Sequence, residues 1–407
     1  MSSHLWHKQK HVIPAAHIRG LDRGVCENDS PGLRLAVNQY TPRQLPTDTT
    51  GYFTLIVAHG IAFSKESYEP HFDDLLETGV PVRAVWIADS VASAESYQLN
   101  QHAIGDEIHW LDYARDIWQM INHFQAQMPP PLIGVGNSLG FGEIATLSSW
   151  HPRLFSGLIS IDPALGPRPG TRWPAPYKWY PGVLATKRKD NWASRQEARD
   201  ALLKTAYFQK YDPRVFEKVM AHEIRDVEPS TTTRSDAEQA VTLTTPKHIE
   251  SYLWMLPDPP LPDHLPAPEA NNNPRIRRAA PPGFYRPESY RMFAALPQLH
   301  PPVLLAWGAK SPHSAAWNRA FYLDTVGSGV GGNGGEPAGM VSETMVDGAG
   351  HPVAQERPKE LATSISPWLF ELKKKLDQQR ENKKKQLPFR REVHPEYMEK
   401  IAKLAKL

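Results

Sequence analysis

The sequence predicts an α/β fold in which a mostly parallel, doubly wound sheet carries helices on both faces. Short apolar runs recur at 53–58, 82–87, 132–135, 158–161 and 303–307, and each ends at turn residues. Continuous runs of this length are typical of strands that are buried on both faces. Apolar residues at helical spacing, from Ile104 through Ile117 to Phe124, lie between two of the runs. This alternation indicates parallel strands joined by helices.

The alternation stops between Leu165 and Leu299. Asp212-Pro213 and Thr245-Pro246 are each typical of a helix start, and prolines are dense from 257 to 287. The strand at 303–307 completes the earlier sheet only if the chain leaves the sheet and returns to it. We therefore interpret 165–299 as an inserted helical lid. The core would comprise 1–164 and 300–376, with a closing helix at 361–376 and a basic tail at 377–407.

The composition excludes several classes of protein. A net charge of +2 gives no reason to expect a nucleic-acid partner. Cys26 is the single cysteine, so an intrachain disulfide is impossible, which suits a reducing compartment. The N-terminal residues lack a secretory signal, and no apolar run is long enough to span a membrane, so we expect a soluble protein made in the cytosol. Neither a metal ion nor a cofactor is expected.

The segment Gly136-Asn137-Ser138-Leu139-Gly140 has the G-x-S-x-G pattern of a nucleophile elbow. A strand pattern precedes it and a helix pattern follows it, which is the context that this motif requires. The serine must project from a sharp turn, and flanking glycines let the strand and the helix pack close to that turn. Ser138 is therefore the candidate nucleophile. A serine at this position favours acyl transfer to water over the chemistry of epoxide hydrolases and dehalogenases, which carry an aspartate there.

A serine hydroxyl needs a base, and His351 is the candidate. It follows the apolar stretch at 341–346 and the turn Gly348-Ala349-Gly350. The order of serine first and histidine last is the order of α/β-hydrolases.

The third candidate is a carboxylate that holds the imidazole. The turn where most α/β-hydrolases carry this acid reads Trp307-Gly308-Ala309-Lys310-Ser311 and contains none. Asp162 follows the strand after the nucleophile, at the same edge of the predicted sheet, so we assign it the catalytic role. A turn-capping role for Asp162 is the alternative, and Asp324 is the second candidate for the acid.

Two backbone N–H groups are expected to stabilise the oxyanion of the tetrahedral intermediate. One belongs to Leu139, directly after the nucleophile. The other should come from the turn His59-Gly60-Ile61-Ala62, where we name Ile61, with Gly60 as the neighbouring choice. His59 itself is expected to be structural.

The His59-Gly60 turn, the elbow at 136–140, Asp162-Pro163 and the G-A-G-H-P turn at 348–352 resemble fungal peroxisomal α/β-hydrolases. Among these are the acyl-CoA hydrolase of the mycophenolic acid pathway and relatives from host-selective toxin pathways. The resemblance extends from about Ile18 to Leu376. It implies an α/β-hydrolase fold, an acid at Asp162, and type I acyl-CoA thioesterase activity that releases a free acid and coenzyme A.

The last three residues, Ala405, Lys406 and Leu407, have the small, basic, leucine pattern of a peroxisomal address. The preceding segment is basic and polar, so an import receptor should reach it. We therefore expect a protein of the peroxisomal matrix. A charged tail that ends this way by chance is the alternative.

Three functions compete at this point. The leading one is a serine acyl-CoA thioesterase for a bulky acyl chain, such as that of a secondary metabolite, with a pocket lined by the lid aromatics Trp173, Tyr177, Trp179 and Tyr180. The others are a carboxylesterase or lipase and a catalytically silent binding protein. The basic clusters at 187–189 and at Arg275, Arg277 and Arg278 suit coenzyme A phosphates, although such clusters are usually solvated surface. The acyl group and the oligomeric state, a homodimer included, stay open.

Overall fold

The computed structural model of the chain describes residues 4–26, 32–166, 178, 180–227, 240–257, 284–384 and 395–405. In chain order, the described strands are β1 (Trp6–Pro14), β2 (Arg34–Pro42), β3 (Phe53–Ala58), β4 (Val82–Ala88), β5 (Leu132–Asn137), β6 (Gly157–Ile161), β7 (Asn191–Trp192), β8 (Ile224–Asp226), β9 (Val241–Leu243), β10 (Leu256–Pro257), β11 (Phe284–Tyr285), β12 (Val303–Gly308) and β13 (Val341–Val346). The described α-helices are α1 (Glu69–Glu77), α2 (Ala94–Asn100), α3 (Asp112–His123), α4 (Leu139–Trp150), α5 (Pro181–Lys187), α6 (Arg195–Leu203), α7 (Pro213–His222), α8 (Lys247–Trp254), α9 (Glu288–Ala295), α10 (Ala316–Thr325), α11 (Val353–Glu356), α12 (Pro358–Lys384) and α13 (Pro395–Leu404).

One eight-stranded sheet dominates the fold, in the order β1-β2-β4-β3-β5-β6-β12-β13. The strands from β4 to β13 in this order pair in parallel, whereas β2 is antiparallel to both β1 and β4. Neighbouring residues such as Leu304 and Leu305 belong to two different buried apolar clusters, because successive side chains point to opposite faces. Both faces of the sheet are therefore covered, which confirms the predicted α/β fold class.

The apolar runs of the sequence lie within β3, β4, β5, β6 and β12, and the stretch before His351 forms β13. The strands β1 and β2 were not predicted. They form the antiparallel edge of the sheet, where β1 alternates between buried residues such as Trp6 and exposed ones such as Lys10. A search for continuous apolar runs misses β1 because that strand is only partly buried. It misses β2 because the buried stretch of that strand is interrupted by polar residues such as Asn38.

Two helices differ from their predicted bounds. The apolar repeat begins at Ile104, but α3 starts only at Asp112, and Ile104 instead forms an isolated bridge with Val25. The closing helix, predicted for 361–376, extends from Pro358 to Lys384, so the beginning of the predicted basic tail is helical. Its lysine, glutamate and glutamine residues are good helix formers, and Lys373 pairs with Asp377 one turn later at 2.5 Å. No described helix combines the length and apolarity needed to cross a bilayer.

Between β6 and β12, the described part of the chain adds no strand to the main sheet. It forms α5 to α9 and two small sheets, ordered β7-β9-β8 and β10-β11. Asp212 caps α7, since its carboxylate accepts the Arg214 N–H at 2.8 Å. Thr245 does not cap α8, since Pro246 occupies the N-cap position of that helix. The Thr245 hydroxyl instead accepts the Ala94 N–H at 2.8 Å and so joins this region to the core. We propose that this excursion is the lid at 165–299, although most of its proline-dense segment lies outside the described residues.

Candidate active site

Ser138 lies on the tight turn between β5 and α4. Its backbone has φ 55° and ψ −121°, a conformation that non-glycine residues rarely adopt. A Cβ atom on Gly136 would lie 2.3 Å from Phe141 Cα, and one on Gly140 would lie 2.3 Å from the Ala58 carbonyl oxygen. Only glycine fits at these two positions. They let the strand and the helix approach closely enough to hold the serine at the apex of the turn.

His351 reaches this serine from the turn after β13. Its Nε2 lies 3.0 Å from Ser138 Oγ, which is a hydrogen-bond distance. A Cβ atom on Gly308 would lie 2.2 Å from the Gly350 carbonyl oxygen, so β12 and the histidine turn meet with no side chain between them. The side chain of His351 is 29% exposed, which leaves the ring accessible to substrate and water.

Asp162 contacts the other side of the imidazole. Its Oδ2 lies 2.6 Å from His351 Nδ1, and the residue directly follows β6 with a positive φ of 45°. The carboxylate is fully buried and also accepts the Gly308 N–H at 3.0 Å and the Ser311 hydroxyl at 2.5 Å. With the Nδ1 proton held by Asp162, Nε2 faces the serine as an acceptor. The structure thus brings the three predicted side chains into one hydrogen-bonded line.

Ser311 is a member of the site that sequence reasoning missed. It stands in the turn after β12, where an acid was expected and not found, and its hydroxyl holds the acid that follows β6 instead. Its Oγ also accepts the N–H of His313 at 3.1 Å. Asp324, the second candidate for the acid, is exposed on α10 and forms no hydrogen bond or ion pair with His351.

His313 also escaped prediction. Its ring centre lies 4.7 Å from that of His351, and the residue lines the cavity in front of Ser138. Burial, together with the neighbouring His351, lowers the pKa of His313 to about 4. The ring is therefore neutral at physiological pH and adds no positive charge beside a protonated His351. With 17 histidines in the chain, nothing in its local sequence marked it out.

The two expected oxyanion donors belong to two different turns, the nucleophile elbow and the turn after β3. Leu139 is the first residue of α4, so its N–H has no acceptor one turn earlier in the helix. Ile61 borders the same cavity as Ser138. The neighbouring choice, Gly60, uses its N–H to bind the Tyr68 hydroxyl at 3.1 Å, which makes Ile61 the better candidate.

His59 fastens the turn that carries Ile61. Its Nδ1 lies 2.8 Å from the Gly60 carbonyl oxygen, and its Nε2 accepts the Ser90 N–H at 2.9 Å. A ring that donates at Nδ1 and accepts at Nε2 must be neutral. Burial lowers the pKa of His59 to about 4, which keeps it in that form. The ring therefore connects the end of β3 to the end of β4 and holds the turn in place.

Ser138 and His351 face a cavity of about 330 Å³, a size that suits a small-molecule ligand. Of the four lid aromatics expected to line it, only Tyr180 is described. It does not line this cavity itself, and its hydroxyl donates at 3.1 Å to the carbonyl oxygen of Trp254, which does. Other apolar and aromatic side chains form the wall, among them Phe63, Leu165, Tyr207, Phe208, Trp254 and Phe293.

The first basic cluster of the sequence is divided between the cavity and the surface. Arg188 lines the cavity and pairs with Glu250 at 2.5 Å, whereas Lys189 pairs with Glu197 at 2.7 Å on the surface. The second cluster lies outside the described residues. Within the described residues, no three histidine, cysteine, aspartate or glutamate side chains are grouped so as to hold a metal ion.

Comparison with known proteins relates this chain to a family. No family model matches the sequence. The chain is 32% identical over 393 residues to the type I acyl-CoA thioesterase mpaH of Penicillium brevicompactum, which covers 91% of this chain and 88% of that protein. It is 27% identical over 243 residues to the abhydrolase domain-containing protein AFT2-1 of Alternaria alternata, over 60% of this chain and 84% of that one.

A solved structure supports the same fold. The peroxisomal α/β-hydrolase Lpx1 of Saccharomyces cerevisiae aligns with a TM-score of 0.69 at 16% identity, over 99% of this chain and 97% of that one. At that identity the likeness concerns the fold, whereas the identity to mpaH extends over nine-tenths of the chain. This chain is therefore a hydrolase and belongs to the fungal α/β-hydrolase family that includes the type I acyl-CoA thioesterase mpaH.

Proposed function

We propose that the chain is a peroxisomal serine acyl-CoA thioesterase that releases a free acid and coenzyme A. The observation that carries this proposal is the hydrogen-bonded line from Ser138 through His351 to Asp162, placed against an apolar cavity. The family relationship to mpaH supports a thioester as the substrate. The apolar cavity wall suits a bulky acyl chain.

In the first half of the proposed reaction, Ser138 Oγ attacks the thioester carbonyl carbon while His351 Nε2 takes the hydroxyl proton. Asp162 stabilises the imidazolium that forms. The N–H groups of Leu139 and Ile61 donate to the oxyanion of the tetrahedral intermediate. The carbon–sulfur bond then breaks, and the imidazolium gives its proton to the departing sulfur, which returns His351 to its neutral form. Coenzyme A leaves readily because a thiol has a pKa of about 8.5.

In the second half, a water molecule attacks the acyl-Ser138 ester. His351 Nε2 accepts a proton from this water, and the imidazolium returns a proton to Ser138 Oγ as the free acid leaves. An oxygen ester is the intermediate whether the substrate is a thioester or an ester. For a thioester with its good leaving group, this second half is therefore expected to limit turnover.

The test compares acyl-CoA substrates with simple esters of the same acyl groups. Thiol release and ester hydrolysis are measured on the purified protein, with Ser138→Ala as the inactive control. We expect kcat/KM to be higher for the thioesters, with a burst of thiol release before the steady rate. A wide preference for the esters would show that the protein is a carboxylesterase or lipase and not a thioesterase.

Covalent labelling tests the third hypothesis, that the protein binds a ligand without catalysing a reaction. A fluorophosphonate probe should label Ser138, because the probe requires a serine that is activated by its histidine. The Ser138→Ala variant should take up no label. A native protein that neither takes up the probe nor hydrolyses any substrate of the panel would be a binding protein.

The proposed location rests on Ala405, Lys406 and Leu407, the last two of which lie outside the described residues. This tripeptide would act as an import signal when Leu407 carries the free carboxylate. A fluorescent protein fused upstream should colocalise with a peroxisomal marker, and removal of the three residues should leave it in the cytosol. Colocalisation that survives the deletion would assign import to another segment.

Light scattering on the purified chain measures its molar mass and so tests whether it forms a homodimer.

A further inference from the structure

The lid places three charged side chains in the wall of the cavity that Ser138 faces. Arg188 directly follows α5, Glu223 directly follows α7, and Glu250 lies within α8. The same three residues border an adjoining cavity of about 30 Å³, which has room for a water molecule. Charged groups are costly in an otherwise apolar pocket unless a partner compensates them. We call these residues the polar cluster.

The hydrogen bonds within the polar cluster leave several polar atoms unused. Arg188 Nη2 donates to Glu250 Oε2 at 2.5 Å, while the buried Arg188 Nε has no partner among the described residues. Glu223 Oε1 accepts the Ser64 N–H at 3.0 Å and the Ser64 hydroxyl at 2.9 Å. In the described part of the chain, no hydrogen bond reaches Glu223 Oε2 or Glu250 Oε1. Both donors and acceptors are thus available at this wall.

Tyr207 adds a further donor beside the polar cluster. It lines the same cavity, and its hydroxyl oxygen accepts a hydrogen bond from the Tyr211 hydroxyl at 2.9 Å. The O–H of Tyr207 is therefore left to donate to something else. A ligand group that both donates and accepts would match this wall.

The charges of the polar cluster disfavour an anion as that ligand. Burial raises the pKa of Glu223 to about 7 and also raises the pKa of Glu250, and in both cases the Arg188 cation opposes the rise. Arg188 is the single cation of the polar cluster and is already paired with Glu250. Any remaining net charge of the polar cluster therefore lies on Glu223 and is negative. A carboxylate at this wall would meet a cluster with no free positive charge. The best match is a neutral hydroxyl.

We propose that the polar cluster is a subsite for a hydroxyl group carried by the acyl chain, remote from the thioester carbon. The inference deepens the proposed function, since it takes the acyl moiety to lie in this cavity. A plain hydrocarbon at the same place would desolvate the polar cluster without replacing its hydrogen bonds, which is unfavourable. Sites built to bind a hydroxyl reject analogues that lack it far better than apolar pockets distinguish chain lengths.

Kinetics provides the first test. Hydroxyacyl-CoA thioesters of graded chain length are compared with their unsubstituted parents and with the corresponding carboxyacyl-CoA thioesters. At the best length, we expect kcat/KM for the hydroxyacyl substrate to exceed that of the parent by about tenfold to hundredfold, since a matched hydrogen bond is worth about this much. The carboxyacyl substrate should be the poorest. Equal kcat/KM values along the whole series would overturn the proposal.

Variants tie the preference to the polar cluster. The double variant Arg188→Met with Glu250→Leu replaces the ion pair by apolar groups of similar size, a change that proteins often tolerate without loss of stability. It should abolish or reverse the ratio of hydroxyacyl to parent kcat/KM, and Glu223→Gln should reduce it. Lys189→Met is the matched control, because Lys189 pairs with Glu197 on the surface and should leave the ratio unchanged. If the double variant folds and keeps the native ratio, the polar cluster is only a structural ion pair.

Binding separates this inference from the proposed function. The Ser138→Ala protein is titrated with free hydroxy acids and with the parent acids by calorimetry, which needs no turnover. Tighter binding of the hydroxy acids, lost in the double variant, supports the subsite even if no thioester is hydrolysed. Equal affinity for the two acids would contradict the proposed subsite but not the proposed hydrolysis.

Discussion

At the scale of single residues, the proposed chemistry depends on how one buried carboxylate is held. Asp162 accepts hydrogen bonds from the Gly308 N–H, the Ser311 hydroxyl and His351 Nδ1, and the last two converge on Oδ2. An asparagine has nearly the same shape but only one accepting oxygen. An amide nitrogen in place of Oδ2 would face both Ser311 and His351 with donors and would favour the wrong imidazole tautomer. An amide nitrogen in place of Oδ1 would face the Gly308 N–H, which is itself a donor.

Asp162→Asn should therefore lower turnover by about 10⁴-fold, which is the loss seen when a triad acid is changed in this way. Thiol release measures the effect, and thermal unfolding checks that the fold survives. A variant with near-normal activity would show that another group orients His351.

Ser311→Ala tests the positioning role of a residue that lies behind the acid. Removing a hydrogen bond to a charged group costs about 1.5–3 kcal/mol, so we expect kcat to fall by about tenfold to hundredfold while KM changes little. Fluorophosphonate labelling of Ser138 should slow by a similar factor. Ser314→Ala is the matched control, because its hydroxyl donates to the Ser311 carbonyl oxygen at 2.8 Å and does not contact Asp162. Equal effects of the two variants would show that Ser311 serves only the turn.

The local sequence carried enough information to name Ser138, His351 and Asp162 as candidates. Each follows a strand pattern, and the glycines around the first and the last reveal tight turns. Ser311 could not be assigned in this way. Its contact with Asp162 exists because β6 pairs with β12, a pairing between segments far apart in the chain that neither segment encodes alone.

At the scale of elements, the elbow depends on backbone contact between β5 and α4. Gly136→Ala would place a Cβ atom 2.3 Å from Phe141 Cα and 2.6 Å from the Gly140 carbonyl oxygen. These are backbone atoms that cannot swing aside, so we expect the free energy of unfolding to fall by about 2 kcal/mol or more. Labelling of Ser138 should fall with it, because the turn must shift.

Gly79→Ala provides the control for that substitution. Gly79 has a φ of +81°, and an added Cβ atom would meet nothing within 4 Å. Only the backbone strain remains, which costs about 1 kcal/mol, and Ser138 labelling should be unaffected. Urea unfolding and labelling rates measure both variants. If Gly136→Ala keeps the native labelling rate, the close approach of strand and helix is not what positions the serine.

The elements that sequence reasoning predicted are those whose burial is uniform. Strands such as β3 and β12, buried along their whole length, produce continuous apolar runs. The edge strand β1 carries charged residues on its exposed face and leaves no such run. Thr245 shows a second limit, since its hydroxyl binds the core amide of Ala94 and not the helix that its sequence context suggested.

At the scale of the whole molecule, the core and the proposed lid contribute different parts of the candidate site. Ser138, Asp162 and His351 all lie on turns at the carboxyl ends of main-sheet strands, and none comes from 165–299. The residues between β6 and β12 supply much of the cavity wall and the polar cluster instead. The alternation of strand and helix patterns predicted this division. It could not predict the shape of the wall, because that depends on packing between helices that are distant in sequence.

This division predicts how activity is lost during unfolding. The reacting groups are joined across the sheet, so we expect the urea midpoint for Ser138 labelling to coincide with that of the sheet, whatever the lid does. In a variant whose four tryptophans within 165–299 are replaced by phenylalanine, intrinsic fluorescence reports on the core through residues such as the fully buried Trp86 and Trp307. Linear extrapolation then gives the two free energies. Selectivity between hydroxyacyl and parent substrates should be lost at the same or a lower urea concentration, since it depends on lid residues. Labelling that disappears while the fluorescence is still native would mean that the lid, and not the sheet alone, holds the reacting groups together.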